Sequence, residues 1–204
     1  MENYADLMFH EAVTDLQKEA GSFDRYQTLY PHRRIDALGD KELTFLKDRE
    51  SMYIASVTAD GWPYVQHRGG PRGFIKVTGA NQIACADYSG NQQFITMGNV
   101  VHDKRVSLFF MDYMNGARLK IQGKGRLIKA ADADPDLLAQ LDDPDLPAER
   151  VLLIDVIGKD WNCPQYIPKL YPAAVVQQAV ADKLGALQAE NEQLKAEVAA
   201  LRAG

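Results

Sequence analysis

Two β-rich runs joined by a tight turn constrain this chain more than any other feature. Met52-Tyr53-Ile54-Ala55-Ser56-Val57-Thr58 is followed by Ala59-Asp60-Gly61-Trp62, and a second run returns from Pro63 to His67. Asp-Gly between two such runs is a strong hairpin signal, because the turn that matches strand twist needs residues that tolerate left-handed backbone. A third run over 73–78 turns through Gly79-Ala80-Asn81 into a fourth over 82–86. Val106-Ser107-Leu108-Phe109-Phe110-Met111 is near-continuously apolar and predicts a strand buried on both faces. Residues 117–128 set Arg118, Lys120, Lys124 and Arg126 against Leu119, Ile121 and Leu127, and Gly123 and Gly125 predict a bend in that strand. Residues 151–157 read as the last core strand. Short strands at this spacing predict an antiparallel sheet curled into a small barrel.

Helical signals flank the strands. Phe9, Val13, Leu16 and Ala20 recur at helical spacing, predicting one amphipathic helix over 5–20 that stops at Gly21-Ser22. The stretch with Tyr26, Tyr30-Pro31 and Arg33-Arg34 is aromatic and irregular and suits a strap over the core. Asp40 is a good N-cap for a short helix running to about Arg49. Residues 92–101 read as helix or loop. Residues 129–147, acidic and broken by prolines, read as a solvated excursion with one short helix near 137–141, and 161–167 as an irregular, polar run.

The tail is a different kind of sequence. From Gln177 a heptad places Gln177, Leu184, Asn191 and Val198 at a, and Val180, Leu187, Leu194 and Leu201 at d. Leucine at d with a lone Asn at a suits a parallel two-stranded coiled coil, since paired asparagines fix register. The flanking g and e positions agree, with Glu190 facing Lys195 and Glu197 facing Arg202 across such a dimer. A single amphipathic helix lying on its own domain is the plainer alternative.

Composition narrows the partners. The 204 residues carry 23 basic and 28 acidic side chains, a formal net charge of −5, which argues against nucleic acid or an anionic membrane as the main partner. The first twenty residues hold Glu2, Asp6, Glu11 and Asp15, so no signal peptide is expected, and no apolar run is long enough to span a bilayer. The expected location is the cytoplasm. Cys85 and Cys163 have no CxxC and no histidine at ligand spacing, so neither a disulfide framework nor a metal site is expected.

Gln66-His67-Arg68-Gly69-Gly70-Pro71 interrupts the strand pattern with cations, an imidazole and glycines. Such a stretch is either a β-bulge with a solvated basic rim or a place where an anionic, planar ligand meets the backbone. Ser89 lacks a Gly-x-Ser-x-Gly context, and neither a dinucleotide-binding glycine motif nor a Walker motif is present. Trp62, Phe74, Trp161 and Tyr166 could line a flat ligand or simply fill a core.

Residues 51–71 resemble the pyridoxamine 5′-phosphate oxidase-like, FMN-binding split-barrel proteins. Asp87-Tyr88-Ser89-Gly90-Asn91-Gln92-Gln93, then Gly98-Asn99 to Arg105-Val106, and Trp161-Asn162-Cys163-Pro164-Gln165 add to the likeness, which covers about residues 5–170. The resemblance implies a mainly β (α+β) fold, an antiparallel split β-barrel with flanking helices. The expected organisation is a helical and strap segment over 1–50, a barrel over 51–170 and a tail over 171–204, the last a C-terminal coiled-coil helix that the resemblance does not cover.

It further implies a homodimer with FMN in clefts at the subunit interface. The strand with Gln66, His67, Arg68, Gly69, Gly70 and Pro71 would run beside the flavin, with Arg68 a candidate for its phosphate. The turn of Ser89, Gly90, Asn91, Gln92 and Gln93 would lie near the phosphate or ribityl chain. Trp161, Cys163 and Gln165 would close over the cofactor, and Arg118 and Lys120 are further candidates.

Two departures separate this chain from true pyridoxamine-phosphate oxidases. Asn91-Gln92-Gln93 stands where they carry a serine-arginine-lysine cluster, and no arginine-x-histidine motif follows Trp161. Vitamin B6 oxidation is therefore not the expected reaction. FMN is the expected cofactor, with another flavin or a deazaflavin as alternatives. The expected activity is an FMN-dependent oxidoreductase acting on a small molecule, with NAD(P)H a candidate electron donor and His67 and Tyr166 the candidate catalytic side chains. The alternative is a non-catalytic flavin-binding dimer that acts as a sensor or carrier.

Overall fold

The computed structural model describes residues 3–30, 37–141, 143, 145–161 and 163–203. Pro31, Arg33 and Arg34 of the expected strap, and Asn162, lie outside the described residues. The chain divides into two units, Met1–Asp112 with Ala117–Pro164, and Tyr113–Gly116 with Gln165–Gly204.

The first unit is an antiparallel split barrel. Its strands are β1 (Ser51–Val57), β2 (Pro63–Gly69), β3 (Lys76–Gly79), β4 (Gln82–Tyr88), β5 (Arg105–Asp112), β6 (Ala117–Lys129) and β7 (Ala148–Trp161). They form one sheet in the order β2-β1-β5-β6-β7-β4-β3, so β2 and β3 are its edges. The hairpin expected at Asp60-Gly61 pairs Val57 with Pro63 and runs in register to Ser51 opposite Gly69.

Strand alternation builds the core. Met52 and Ile54 of β1, Val106, Leu108 and Phe110 of β5, and Leu119 and Ile121 of β6 are buried together with Leu152 and Ile154 of β7. The expectation that β5 is buried on both sides does not hold, because its residues alternate between buried and half-buried. On its outer face Phe109 sits opposite Tyr53 in the register, so the two rings share that face. The bend expected in β6 is a register shift at Gln122/Gly123. A Cβ at Gly123 would lie 2.6 Å from Ile154 Cγ2 and 2.8 Å from the Asp155 carbonyl oxygen, so only glycine lets the strands pass this closely.

The N-terminal helix expected over 5–20 is two helices, α1 (Tyr4–Met8) and α2 (Glu11–Glu19). A capping box starts α1: the Asp6 N–H donates to Asn3 Oδ1 at 3.0 Å, and the Asn3 N–H to Asp6 Oδ2 at 3.2 Å. Phe9 breaks the run, its ring edge-on to Tyr26 at 5.7 Å and Tyr30 at 5.8 Å. Tyr26 itself lies in α3 (Phe23–Leu29), so this part of the expected strap is helical. The next helix, α4 (Asp40–Leu46), starts one residue earlier than read, with Gly39 as N-cap donating its N–H to Glu42 Oε2 at 2.9 Å. Glu42 is buried and also accepts from Lys159 Nζ at 2.9 Å and from Trp161 Nε1, which ties α4 to the end of β7. α5 (Ile95–His102) follows β4, with Asn99 Nδ2 donating to Ser56 Oγ at 2.9 Å, and α6 (Pro135–Leu141) lies in the acidic excursion.

The second unit holds α7 (Ala173–Ala203). Lys169 Nζ donates to the Met114 carbonyl at 3.0 Å. Every described residue of α7 is exposed. No helix among the described residues is long and apolar enough to cross a membrane.

Candidate functional site

Edge strand β2 alternates strictly, so Tyr64, Gln66 and Arg68 share one face while Val65 and His67 share the other. The first face forms one wall of a cavity of about 540 Å³. The end of β4, the loop over 89–94 and the first turn of α5 form the rest, with Leu146 and Arg150 at the start of β7. That volume falls within the roughly 300–1,000 Å³ of small-molecule sites.

The floor is an ion cluster spanning three distant parts of the chain. Arg68 Nη1 donates to Asp87 Oδ1 at 2.7 Å, and Arg150 Nε donates to Asp87 Oδ2 at 2.7 Å. Asp87 is 5% exposed, and it sits directly opposite Arg150 in the β4–β7 register. Its hydrogen bond holds the Arg150 guanidinium above its ordinary pKa. Glu149, more exposed, accepts from Arg150 Nη2 at 2.8 Å, and the same guanidinium lies 4.9 Å from the Phe94 ring centroid. Gln66 Oε1 accepts from Thr96 Oγ1 at 2.7 Å and from Arg68 Nη2 at 3.4 Å, which links β2 to α5. Arg68 Nε is buried with no acceptor among the described residues.

The loop that closes the cavity is strained. Gln92 and Phe94 take φ of 59° and 54°, left-handed conformations that cost a side-chain-bearing residue about 1–3 kcal/mol each. The Gln93 N–H donates to Asn91 Oδ1 at 3.2 Å, an Asx turn that helps hold this shape. The loop leads into the first turn of α5, where an α-helix leaves N–H groups without intrahelical partners. Past the other wall, Gly73 takes φ of +75°, and a Cβ there would lie 2.9 Å from the Lys47 carbonyl oxygen. Gly70 N–H is already committed to the Glu50 carbonyl at 3.0 Å, so it is not free to meet a ligand as expected.

The structure brings together Gln66, His67, Arg68, Gly69 and Gly70 with Ser89, Gly90, Asn91, Gln92 and Gln93. His67 lies at the rim, its ring edge-on to Tyr53 at 5.6 Å on the outer face of the hairpin. Pro71 follows this stretch without lining the cavity. Arg118, Lys120, Trp161 and Cys163 gather elsewhere. Arg118 Nη2 donates to the Cys163 carbonyl at 2.9 Å, and Lys120 Nζ lies 3.3 Å from Tyr4 Oη and 3.5 Å from Asp160 Oδ2. Trp161 stacks edge-on against Phe45 at 4.9 Å, under Lys41 Nζ at 3.9 Å. Arg150 and Trp161 stand at opposite ends of β7, roughly 35 Å of strand apart at about 3.3 Å per residue, so one chain cannot fold both over one ligand. Gln165 and Tyr166 belong to the second unit.

Asp87, Phe94, Thr96 and Arg150 are site residues that the sequence reading passed over. Asp87 and Thr96 lay inside or beside the quoted motifs, and an acidic residue at the end of an apolar strand run, two positions before the loop, was an available signal. Arg150 had none, because its role follows from a strand pairing across 63 residues.

Comparison with known proteins gives this arrangement a relationship. Residues 38–157 match the family model described as pyridoxamine 5′-phosphate oxidase. Among solved structures, HupZ of Group A Streptococcus is similar at 14% identity, covering 66% of this chain and 100% of that one, with a TM-score of 0.47. An FMN-binding protein from Syntrophomonas wolfei subsp. wolfei is similar at 12% identity, covering 72% and 97% of the two chains, with a TM-score of 0.42. General Stress Protein 26 from Bacillus anthracis is similar at 10% identity, covering 58% and 88%, with a TM-score of 0.41. No curated protein matches the chain. With more than half of its length matched by the family model, the chain belongs to the pyridoxamine 5′-phosphate oxidase family.

Proposed function

We propose that the cleft between β2, the 89–94 loop and α5 binds FMN, and that the protein is an FMN-dependent oxidoreductase acting on a small molecule. One observation carries this reading: two arginines converge on a single buried carboxylate at the floor of the cavity, and their side chains stay 14% and 24% exposed. A guanidinium N–H is a strong, charge-assisted donor to a phosphate oxygen. The residues fit the cofactor in kind. The cavity is large enough, the cations suit the phosphate, and the Gln66 amide, oriented by Thr96, suits a polar ring edge.

A bound flavin would supply the hydride or electron transfer. The chain's own side chains would anchor the phosphate through Arg68 and Arg150, align Gln66, and exclude water with Phe94 and the strained loop. Arg118, Lys120, Trp161 and Cys163 would reach a flavin only across the boundary of a homodimer, from a second copy. Asp87 is the only carboxylate lining the cavity among the described residues, and it is held between two guanidinium groups. Both of its oxygens are already taken by those guanidinium groups and not by a substrate. That observation favours a second reading, a non-catalytic flavin-binding dimer acting as a sensor or carrier.

Fluorescence titration with FMN and with riboflavin tests the binding. FMN is expected to bind more tightly by at least about tenfold, the worth of one charge-assisted contact. Equal affinity, or none for either, would remove the proposal. Anaerobic mixing of the FMN-loaded protein with NADH or NADPH then separates the two readings. Bleaching of the flavin absorbance supports the oxidoreductase, and an unchanged spectrum supports the carrier.

A further inference from the structure

The geometry points to α7 as a parallel, two-stranded docking element for a second copy of this chain, with Asn191 setting its register and its e and g charges setting its orientation. Leu184, Val198, Val180, Leu187, Leu194 and Leu201 are the apolar seam residues, and each is between 45% and 83% exposed. The helix thus presents a continuous apolar stripe that nothing in its own unit covers. The stripe keeps a 3.5-residue period, which stays on one side of a helix only when two helices wrap around each other. A stripe made to lie on a barrel would drift around the helix with the 3.6 period.

Charge decides which occupant fits. In a parallel, in-register pair, Glu190 at g meets Lys195 at the following e of the partner, and Glu197 meets Arg202, each pair occurring twice by symmetry. In the antiparallel arrangement that overlaps all a and d positions, Gln177 lies opposite Leu201, Glu190 faces the partner's Glu190, only Lys183 with Glu197 attracts, and Asn191 faces Leu187, which buries an amide against a leucine. Parallel pairing instead places the two Asn191 amides against each other, where each can donate and accept. Lys195 now bonds Glu192 on its own helix at 2.8 Å, but that pair is exposed and gives way readily to a better-placed partner. Gln177 at the first a position weakens the start of the seam, so association tightens toward the C-terminal three layers.

Site-directed cross-linking of the full chain tests this independently of flavin. In a Cys163→Ser background, Leu201→Cys at d brings two thiols together only in the parallel pair, whereas Ala196→Cys at f points outward. The native Cys85 is buried, with its thiol pushed up to about 12, and does not compete. Under mild oxidation, Leu201→Cys is expected to form covalent dimer at least about tenfold faster than Ala196→Cys. Adding Lys195→Glu and Arg202→Glu should abolish that difference. So should adding Glu190→Lys and Glu197→Lys to a separate Leu201→Cys chain, while mixing the two charge variants should restore it. Equal cross-linking at 201 and 196, indifference to charge reversal, or cross-linking of Leu201→Cys only to a Gln177→Cys chain would overturn the proposal.

Discussion

Replacing Asp87 with asparagine should lower the stability of the protein and raise its preference for a phosphate-bearing ligand. The carboxylate accepts from two guanidinium groups, and the side chains of Arg68, Asp87 and Arg150 are 14%, 8% and 24% exposed. Breaking a fully buried pair costs about 3–5 kcal/mol, whereas an exposed pair is worth about 0–1. This cluster is nearly but not wholly buried, and asparagine keeps one acceptor oxygen while turning an amide donor toward the other arginine. A loss of about 2–4 kcal/mol follows. For a chain of this size each kcal/mol moves the melting temperature by about 2–4 °C, so Tm should fall by about 4–16 °C. The two arginines, freed of their shared counter-charge, should then favour a ligand that brings its own.

Differential scanning fluorimetry with FMN and riboflavin reads both effects. The excess Tm gain from FMN over riboflavin should be larger in Asp87→Asn than in the parent, because a ligand that binds only the folded state stabilises in proportion to its affinity. A variant that melts within about 2 °C of the parent would show that the clamp carries little stability. An equal gain from both ligands would refute the idea that the cluster meets the phosphate.

Glu42→Gln should remove part of the acid sensitivity of the fold. Burial pushes the Glu42 carboxyl up, but hydrogen bonds from Trp161, Lys159 and the Gly39 N–H outweigh it and leave it below its ordinary 4.5. A depressed carboxylate stabilises fully above the unfolded-chain value and loses that contribution as pH falls through its folded value. Melting curves from about pH 6 to about pH 3 should therefore fall more steeply below 4.5 in the parent than in the variant. Gly73→Ala forces a side chain into a left-handed conformation against the Lys47 carbonyl, and should cost about 1–3 kcal/mol in urea unfolding with an unchanged m-value. Thr96→Val keeps the shape but removes the hydroxyl that holds Gln66. It should cost about 0.5–1.5 kcal/mol in the same assay and weaken FMN in titration, whereas unchanged affinity would show that Gln66 needs no orientation.

Local signals in the sequence carried the elements well and the site only by halves. Asp60-Gly61 determined its hairpin because turn chemistry acts over four residues, and Gly123 marked its bulge because only a missing Cβ permits that approach. The break between α1 and α2 escaped a periodicity argument, since it falls at Phe9, whose ring meets others that arrive from Tyr26 and Tyr30. Apolarity alone misjudged β5, where Phe109 meets a neighbour in the same layer instead of a second layer. In the cleft, Gln66 and Arg68 stood out by composition, and the family resemblance added the 89–93 turn. Nothing local revealed that Arg68 would be neutralised by Asp87, or that Gln92 and Phe94, poor candidates for left-handed backbone, would shape the loop. The resemblance also gathered Arg118 and Trp161 into the same site, whereas the start of β6 and the end of β7 hold them together, far along β7 from Arg150.

The position of β7 in the sheet has a kinetic consequence. It is the last strand of the chain, yet it pairs with β4, about seventy residues earlier at Ile83 opposite Ile154, as well as with its neighbour β6. Contacts of such long sequence separation form slowly, because the intervening chain must be ordered before they reward it. During synthesis Arg150 emerges after every other residue of the cleft, so a nascent chain can complete the hairpin wall while the cation pair on Asp87 is still half made. A ligand at the proposed site would therefore meet both cations only once β7 has paired with β4.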